Sequence, residues 1–129
     1  MEPTINTHKQ IDRPLCGTPR VVENGYSKVE LTTSPSMAVD EFGLVHGGFI
    51  FGMADYAAMI AVNHPNVVLG SANVKFLKPV GINETVIAEA RVEKVEGKKQ
   101  FVSVEIKRGE ISCFKGEFTC FILDKHVFS

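Results

Sequence analysis

The feature that most constrains this chain is an apolar run at residues 49–62, which predicts an α-helix without a polar stripe. Two glycines precede the run and Asn63-His64-Pro65 ends it, as is typical of the start and stop of a helix. A helix that is apolar on nearly every side must be covered on most of them. The run is too short for a membrane span, and Gly52 and Asp55 also interrupt it. We therefore expect a sheet that bends around this helix.

The rest of the chain supplies such a sheet. Residues 26–34 alternate between polar and apolar side chains, which is typical of a half-buried strand. After the helix, alternation or β-branched residues mark four more segments, at 67–79, 84–96, 99–107 and 110–123. Short turns join these segments. We predict an α+β fold, in which a strongly bent antiparallel sheet encloses one long central helix.

Composition fits one soluble globular domain. The chain has 129 residues, 44% of them hydrophobic, and a net charge of -1. This balance gives no reason to expect nucleic acid or an anionic membrane as a partner. We interpret residues 1–14 as a polar N-terminal arm and residues 15–129 as one domain. The sequence has no signal-peptide pattern and its cysteines lack metal-ligand spacing, so we expect a reduced, cytoplasmic protein.

Asp55 is the most informative single residue, because it places a carboxylate in the middle of the most apolar helix. An unpaired charge in such a place is costly. In the structural explanation, a lysine or several hydrogen-bond donors satisfy the carboxylate, as they do for many internal acids. In the functional explanation, Asp55 is a general base or a nucleophile. The residue alone leaves both explanations open.

His46-Gly47-Gly48 is a second candidate feature, at the start of the helix. Glycines there let a ligand approach backbone N–H groups at the positive end of the helix dipole. Such an arrangement suits an oxyanion site. Glycines at a turn into a helix also commonly serve backbone geometry alone, so the motif by itself is ambiguous.

The spacing between these two features favours a site made by two chains. Gly48 and Asp55 lie seven residues apart on one helix, which corresponds to roughly 10 Å along its axis. One reacting atom cannot contact both. Antiparallel helices packed across a two-fold axis would bring Asp55 of one protomer to Gly48 of the other. We therefore predict a site that exists only in a homodimer.

The segment HGGFIFGMAD, from His46 to Asp55, and the later segment FLKP, which ends at Pro79, resemble the PaaI-like acyl-CoA thioesterases of the hotdog superfamily. The carboxylate falls nine residues after the histidine, as in that family. The match covers the chain from about residue 26 to residue 123. The resemblance implies a hotdog fold, an acyl-coenzyme A substrate, hydrolysis without a cofactor, and a homodimer that can associate further into a dimer of dimers.

The resemblance also implies roles for individual residues. In that family the acidic helix residue is the base or nucleophile, the glycine amide polarises the thioester carbonyl, and the histidine helps to position the thioester. These roles fall to Asp55, Gly48 and His46. Gly47 is expected to contact the substrate beside them, and Lys78, at the family's basic position, is expected to bind a coenzyme A phosphate.

Two positions depart from the family pattern. Many relatives carry Asn six residues before the histidine, where this chain has Asp40. A second acid beside the substrate would repel the negative charge that develops there. A Ser or Thr ten residues before the proline is replaced by Leu69. We expect Ser71 and Asn73 to lie on the same face of the strand as Leu69, where either is a candidate substitute.

Three functions fit the resemblance. The first is hydrolysis of an acyl-CoA thioester, with Asp55 activating water or attacking the ester. The second is a non-catalytic acyl-CoA binding or sensing protein, because the hotdog fold also occurs in transcriptional regulators of lipid synthesis. Against it, the chain shows no separate DNA-binding domain, and a pure binder has no need of Asp55. The third, a dehydratase, ranks last, and we find no metal-binding pattern.

Overall fold

The computed structural model describes residues 2–129 and confirms the α+β fold. One antiparallel sheet, with strands in the order β1-β2-β4-β5-β6-β3, bends around one long helix, α2. The elements, in chain order, are α1 (Arg13–Cys16), β1 (Thr18–Glu23), β2 (Tyr26–Thr32), a 3₁₀ turn (Pro35–Met37), α2 (Gly47–Val62), β3 (Val67–Phe76), β4 (Thr85–Glu96), β5 (Lys99–Arg108) and β6 (Ile111–Ile122).

Helix α2 is the centre of the hydrophobic core, as its composition predicts. Nine of its residues are buried, and four of these are alanines, which let the sheet approach the helix closely. The Ser27 hydroxyl on β2 donates a hydrogen bond to the carbonyl of Ala57 at 2.6 Å, which ties the sheet to the helix. Asn63 ends the helix in the left-handed conformation, with φ 55°. No helix in the described part of the chain has the length and hydropathy needed to cross a bilayer.

Strand β1 is the one strand that the sequence analysis missed. It forms a hairpin with β2, in which Glu23 pairs with Tyr26 across the turn at Asn24-Gly25. Gly25 has a φ of 76°, which glycine adopts at little cost. An Asn-Gly pair between two extended segments is a strong hairpin signal, and it could have revealed this strand.

Strand β3 lies at one edge of the sheet and pairs only with β6. A bulge at Gly70 shifts its register, because Leu69 lies opposite Cys120 whereas Ser71 lies opposite Thr119. The bulge adds one residue to β3, so every residue after it changes face relative to simple alternation.

The N-terminal segment covers the C-terminal end of α2. The backbone N–H of Asn6 donates to Oδ1 of Asn63 at 2.7 Å, and Nδ2 of Asn63 donates to the carbonyl of Thr4 at 3.2 Å. The His8 ring lies 6.4 Å from the ring of the buried Tyr56. These contacts hold the N-terminal segment against the end of the helix.

We expect Gly70→Ala to destabilise the fold by about 1–3 kcal/mol, because overpacking has that cost and the added methyl group would overlap Cε2 of Phe121. Urea unfolding of the variant and the wild type measures the difference. In a Phe121→Ala background the same substitution should cost much less. An equal cost in both backgrounds would show that the ring does not determine the glycine at this position.

Candidate active site

One face of α2 is left open by the sheet of its own chain. Gly48, Gly52 and Asp55 follow one another at helical spacing along this face, and none of the three is buried. Within residues 2–129, a Cβ atom at Gly52 would meet no atom within 4 Å beyond its own stretch of helix. The structure therefore places both ends of the predicted catalytic pair on the same accessible face.

The Asp55 carboxylate is half-buried on this face and lacks a charged partner. Its Oδ1 atom is buried and has no hydrogen-bond partner, and the residue forms no ion pair within residues 2–129. Burial raises the pKa of Asp55 from 3.8 to about 6, because desolvation penalises the charged form. The lysine pairing that the sequence left open is thus absent from the described residues.

Two thiols lie near Asp55, and the sequence analysis gave neither of them a place in the site. Burial raises the pKa of Cys120 to about 12, and the charge of Asp55 adds to the shift. Burial also raises the pKa of Cys16, with further contributions from Asp12 and Asp55. Both thiols are therefore protonated at neutral pH and give Asp55 no positive partner. Only the tertiary fold brings α1 and β6 to this point, so no local sequence signal could have indicated it.

His46 caps the first turn of α2. Its Nδ1 accepts a hydrogen bond from the Gly48 N–H at 2.7 Å, so the neutral ring carries its proton on Nε2. The His46 backbone is held as well, because its N–H donates to the carbonyl of Met37 at 2.9 Å and its carbonyl accepts from the N–H of Phe49 at 3.1 Å. The Gly48 amide, which the resemblance assigns to the thioester carbonyl, therefore already has a partner in this structure.

Gly47 and Lys78 line a cavity of about 290 Å³ beside the start of α2. A Cβ atom at Gly47 would lie 3.3 Å from the Phe76 ring, which forms one wall. The Lys78 side chain is exposed at the rim and forms no ion pair within residues 2–129. A larger cavity, of about 550 Å³, lies by residues 6–10 and 65–68 and contains none of the predicted site residues.

Asp40 is exposed and its side chain organises the loop before α2. Its Oδ1 atom accepts hydrogen bonds from the N–H groups of Phe42 at 3.0 Å and Leu44 at 3.2 Å. This is the local pattern in which an Asp side chain stabilises a turn. One carboxylate oxygen of Asp40 is thus used by hydrogen bonds within the loop that leads into His46.

The expectation that Ser71 and Asn73 share the face of Leu69 was wrong. Leu69 lies opposite the buried Cys120, whereas Asn73 lies opposite the exposed Glu117. The Gly70 bulge is the cause, because one extra residue reverses the alternation of the strand. Ser71 and Asn73 therefore lie on the outer face of the sheet, away from α2, and their contact with a substrate stays a prediction.

Within one chain the predicted groups remain separate. Gly48 and Asp55 share a face of α2, but seven residues separate them, which is roughly 10 Å of helix. Within residues 2–129, no group of His, Cys, Asp and Glu side chains is arranged to hold a metal ion. The arrangement offers a basic carboxylate at one position and a backbone donor at another, which are the two functions that acyl transfer to water requires.

The chain is similar in sequence to a family model and to several known proteins. The family model described as "Thioesterase superfamily" matches residues 42–114. A methylthioribose-1-phosphate isomerase from Aquifex aeolicus is 55% identical over 93% of this chain, but this chain spans only 26% of that protein. The transcription factor FapR from Caldanaerobacter subterraneus is 33% identical over 64% of this chain, which spans 41% of that protein.

Solved structures show the same fold. An uncharacterized protein from Pyrococcus horikoshii superposes with a TM-score of 0.97, at 48% identity over all of this chain and 99% of that one. The PaaI protein of E. coli superposes with a TM-score of 0.79, at 21% identity over 87% of this chain and 83% of that one. A hypothetical thioesterase with coenzyme A from Streptococcus pneumoniae has a TM-score of 0.75, at 17% identity over 84% and 86% of the two chains. The last two likenesses concern the fold alone.

We expect Asp55→Asn to raise the free energy of unfolding above pH 6 and to change it little near pH 4. With its pKa raised from 3.8 to about 6, the folded state holds this proton more tightly than the unfolded state. The wild type therefore loses stability as the pH rises through this window and recovers it as the pH falls. The Asn side chain of the variant carries no charge, so the variant does not lose this stability at high pH. The difference is up to about 3 kcal/mol for a pKa rise of this size.

Urea unfolding at pH 4 and pH 8 checks this expectation. Glu41→Gln is the matched control, because Glu41 is exposed and forms no ion pair within residues 2–129. Its stability should stay close to that of the wild type at both pH values. An Asp55→Asn protein that is no more stable than the wild type at pH 8 would contradict a desolvated, unpaired carboxylate.

Proposed function

The chain belongs to the thioesterase superfamily, and we propose that it hydrolyses an acyl-coenzyme A thioester in the cytoplasm, at a site built by two protomers. The family match covers more than half of the chain and includes both Gly48 and Asp55. The observation that carries the proposal is the half-buried Asp55 carboxylate, whose Oδ1 atom lacks a partner on an open helix face. Such a group lowers stability and gains basicity, a combination that is concentrated at catalytic sites.

In the proposed reaction, Asp55 takes a proton from a water molecule as the water oxygen attacks the thioester carbonyl carbon. The carbonyl oxygen becomes negatively charged and accepts a hydrogen bond from the Gly48 N–H. The C–S bond then breaks, the protonated Asp55 returns its proton to the coenzyme A sulfur, and the free acid leaves. With a pKa of about 6, Asp55 is mostly ionised at neutral pH and is a stronger base than an ordinary aspartate. Direct attack by the carboxylate remains the alternative route.

Two protomers are needed because one helix holds Gly48 and Asp55 roughly 10 Å apart. The midpoint between the two positions falls between Phe51 and Gly52. A two-fold axis at that point would set each Asp55 against the Gly48 amide of a second protomer. The empty space around Gly52, with no atom within 4 Å of its Cβ position, supports close approach of a second helix.

The free edge of β3 supports the same assembly. The strand has ten residues and pairs with β6 on one side only. Residues 70–73 are exposed, so their backbone groups are accessible to another strand. Edges of this kind pair readily with a second copy of a chain. We therefore propose a homodimer with a continuous sheet, which can associate further into a dimer of dimers.

A non-catalytic acyl-CoA binding or sensing protein is the second candidate. The similarity to transcription factor FapR favours it, at 33% identity over 82 residues. In the single chain, the Gly48 amide is occupied by His46, and Asp40 is committed to its own loop. Asp55 favours hydrolysis, since a binder gains nothing from an unpaired carboxylate whose burial lowers stability. Both candidate functions predict that the protein binds acyl-CoA, and only hydrolysis predicts that it turns the ester over.

We expect Asp55→Ala to lower the rate of thiol release by about 10²–10⁴-fold, because that is the usual contribution of a general base. Binding of the same ester should be retained. The measurement is release of free thiol from a panel of acyl-CoA esters by the wild type and the variant, with calorimetry in parallel and Glu41→Ala as the control. Hydrolysis by Asp55→Ala at the wild-type rate would refute the assigned base. Tight binding without turnover by the wild type would instead support the sensing protein.

We expect Gly52→Leu to abolish hydrolysis and to yield a folded monomer. A Cβ atom at this position meets nothing within 4 Å beyond its own stretch of helix, whereas a leucine there would block a helix that packs across the two-fold axis. Light scattering after size exclusion gives the oligomeric state, and circular dichroism confirms folding. A fully active Gly52→Leu dimer would place the assembly interface elsewhere.

A further inference from the structure

We propose that the His46 ring is a displaceable cap on the Gly48 amide, and that the substrate carbonyl oxygen takes its place on binding. The inference rests on the proposed function, because it concerns the same backbone donor. It makes His46 a positioning residue that acts through Gly48. It also predicts that His46 opposes ground-state binding of a carbonyl group, whereas a histidine that contacts the thioester directly would favour it.

The geometry makes the ring and the substrate oxygen competitors. The Gly48 N–H has one proton, and it is donated to Nδ1 of His46 at 2.7 Å. The ring lies directly beside the glycine, since a Cβ atom there would be 2.7 Å from Nδ1 and 2.8 Å from Cε1. An oxygen cannot reach this proton until the ring leaves. The absence of a side chain at Gly48 is what allows either acceptor to come so close.

The ring is free to leave without unfolding the helix. Backbone hydrogen bonds to Met37 and Phe49 hold the main chain of His46 on both sides. The His46 side chain is exposed, and its nearest aromatic neighbour is Phe49, with the ring centroids 6.1 Å apart in an edge-on arrangement. Rotation about the Cα–Cβ bond therefore uncovers the amide and leaves the backbone in place.

The cap also explains how the donor keeps its direction in the empty site. The first N–H groups of a helix have no partner within the helix, and a side chain at the cap position satisfies one of them. His46 satisfies the second N–H of α2, which is the one that the proposed reaction uses. Displacement therefore exchanges one acceptor for another, and the substrate carbonyl must replace a bond that already exists.

Two ligands and two variants test this exchange. The ligands are the ketone analogue of acetyl-CoA, in which a CH₂ group replaces the sulfur, and S-ethyl-coenzyme A, which has no carbonyl. The variants are His46→Ala, which removes the cap, and His46→Asn, which restores a good cap without an imidazole. Calorimetry gives the affinities, and ¹⁵N spectra report the Gly48 amide and the His46 Nδ1. Circular dichroism confirms that each variant is folded.

Under the proposal, His46→Ala binds the ketone about fivefold more tightly than the wild type, which corresponds to the loss of one cap. His46→Asn returns to the wild-type affinity, and S-ethyl-coenzyme A binds all three proteins equally. In the wild type, the ketone shifts the Nδ1 and Gly48 resonances together, whereas S-ethyl-coenzyme A does not.

Other outcomes overturn the proposal in recognisable ways. If His46→Ala and His46→Asn weaken binding of the ketone equally, the imidazole contacts the ligand directly and is not a cap. If the wild type binds both ligands and the Ala variant changes neither affinity, only the cap is refuted. If the wild type binds neither ligand, the proposed acyl-CoA function fails, and the exchange fails with it.

Discussion

The burial of the apolar helix α2, which carries the Asp55 carboxylate on its open face, is the constraint on which the rest of this structure depends. A helix made almost entirely of apolar residues needs a sheet around it, and the buried alanines of α2 let that sheet come close. Partial burial removes water from Asp55 and raises its pKa to about 6. No basic residue within residues 2–129 pairs with this carboxylate. Its desolvation therefore lowers the stability of the fold, on the one face of α2 that the sheet leaves open. The chain therefore combines a large stabilising core with one group that lowers the stability of the fold. This combination is typical of sites whose function requires reactivity.

Much of the fold could be predicted because its main signals are periodic and local. The apolar helix and the alternating segments on either side of it identify α2 and five of the six strands, and the family match confirms the thioesterase relationship. Strand β1 was missed although Asn24-Gly25 marks its turn. The bulge at Gly70 was also missed, although a glycine inside a strand pattern often marks a bulge. The Phe121 ring of the neighbouring strand, which leaves no room for a side chain at Gly70, could not be placed there from sequence. The bulge reverses the faces of Ser71 and Asn73.

The residues of the candidate site also differ in how clearly the sequence indicates them. Asp55 stands out in sequence because it interrupts an apolar helix, and Gly48 because glycines precede that helix. The turn made by Asp40 is also a local pattern, which the segment Asp40-Glu41-Phe42-Gly43 indicates in the sequence. The bond from Gly48 to His46 is local too, but it depends on a side-chain rotamer that the sequence does not specify. By contrast, the proximity of Cys16 to Asp55 depends on how the N-terminal segment packs, and such a tertiary contact leaves no period or motif in the sequence.

Complementation between two inactive variants tests most directly whether two protomers share the site. Asp55→Ala lacks the proposed base, and Gly48→Pro lacks the proposed backbone donor, an N–H of the first turn that has no partner within the helix. In a mixed dimer, one site would carry both defects and the other would carry neither. With random pairing, an equal mixture that is unfolded and refolded together should recover about a quarter of wild-type thiol release, because half of the dimers are mixed and each has one intact site. Activity no higher than that of either variant alone, from mixed dimers shown to form, would contradict a site shared between protomers.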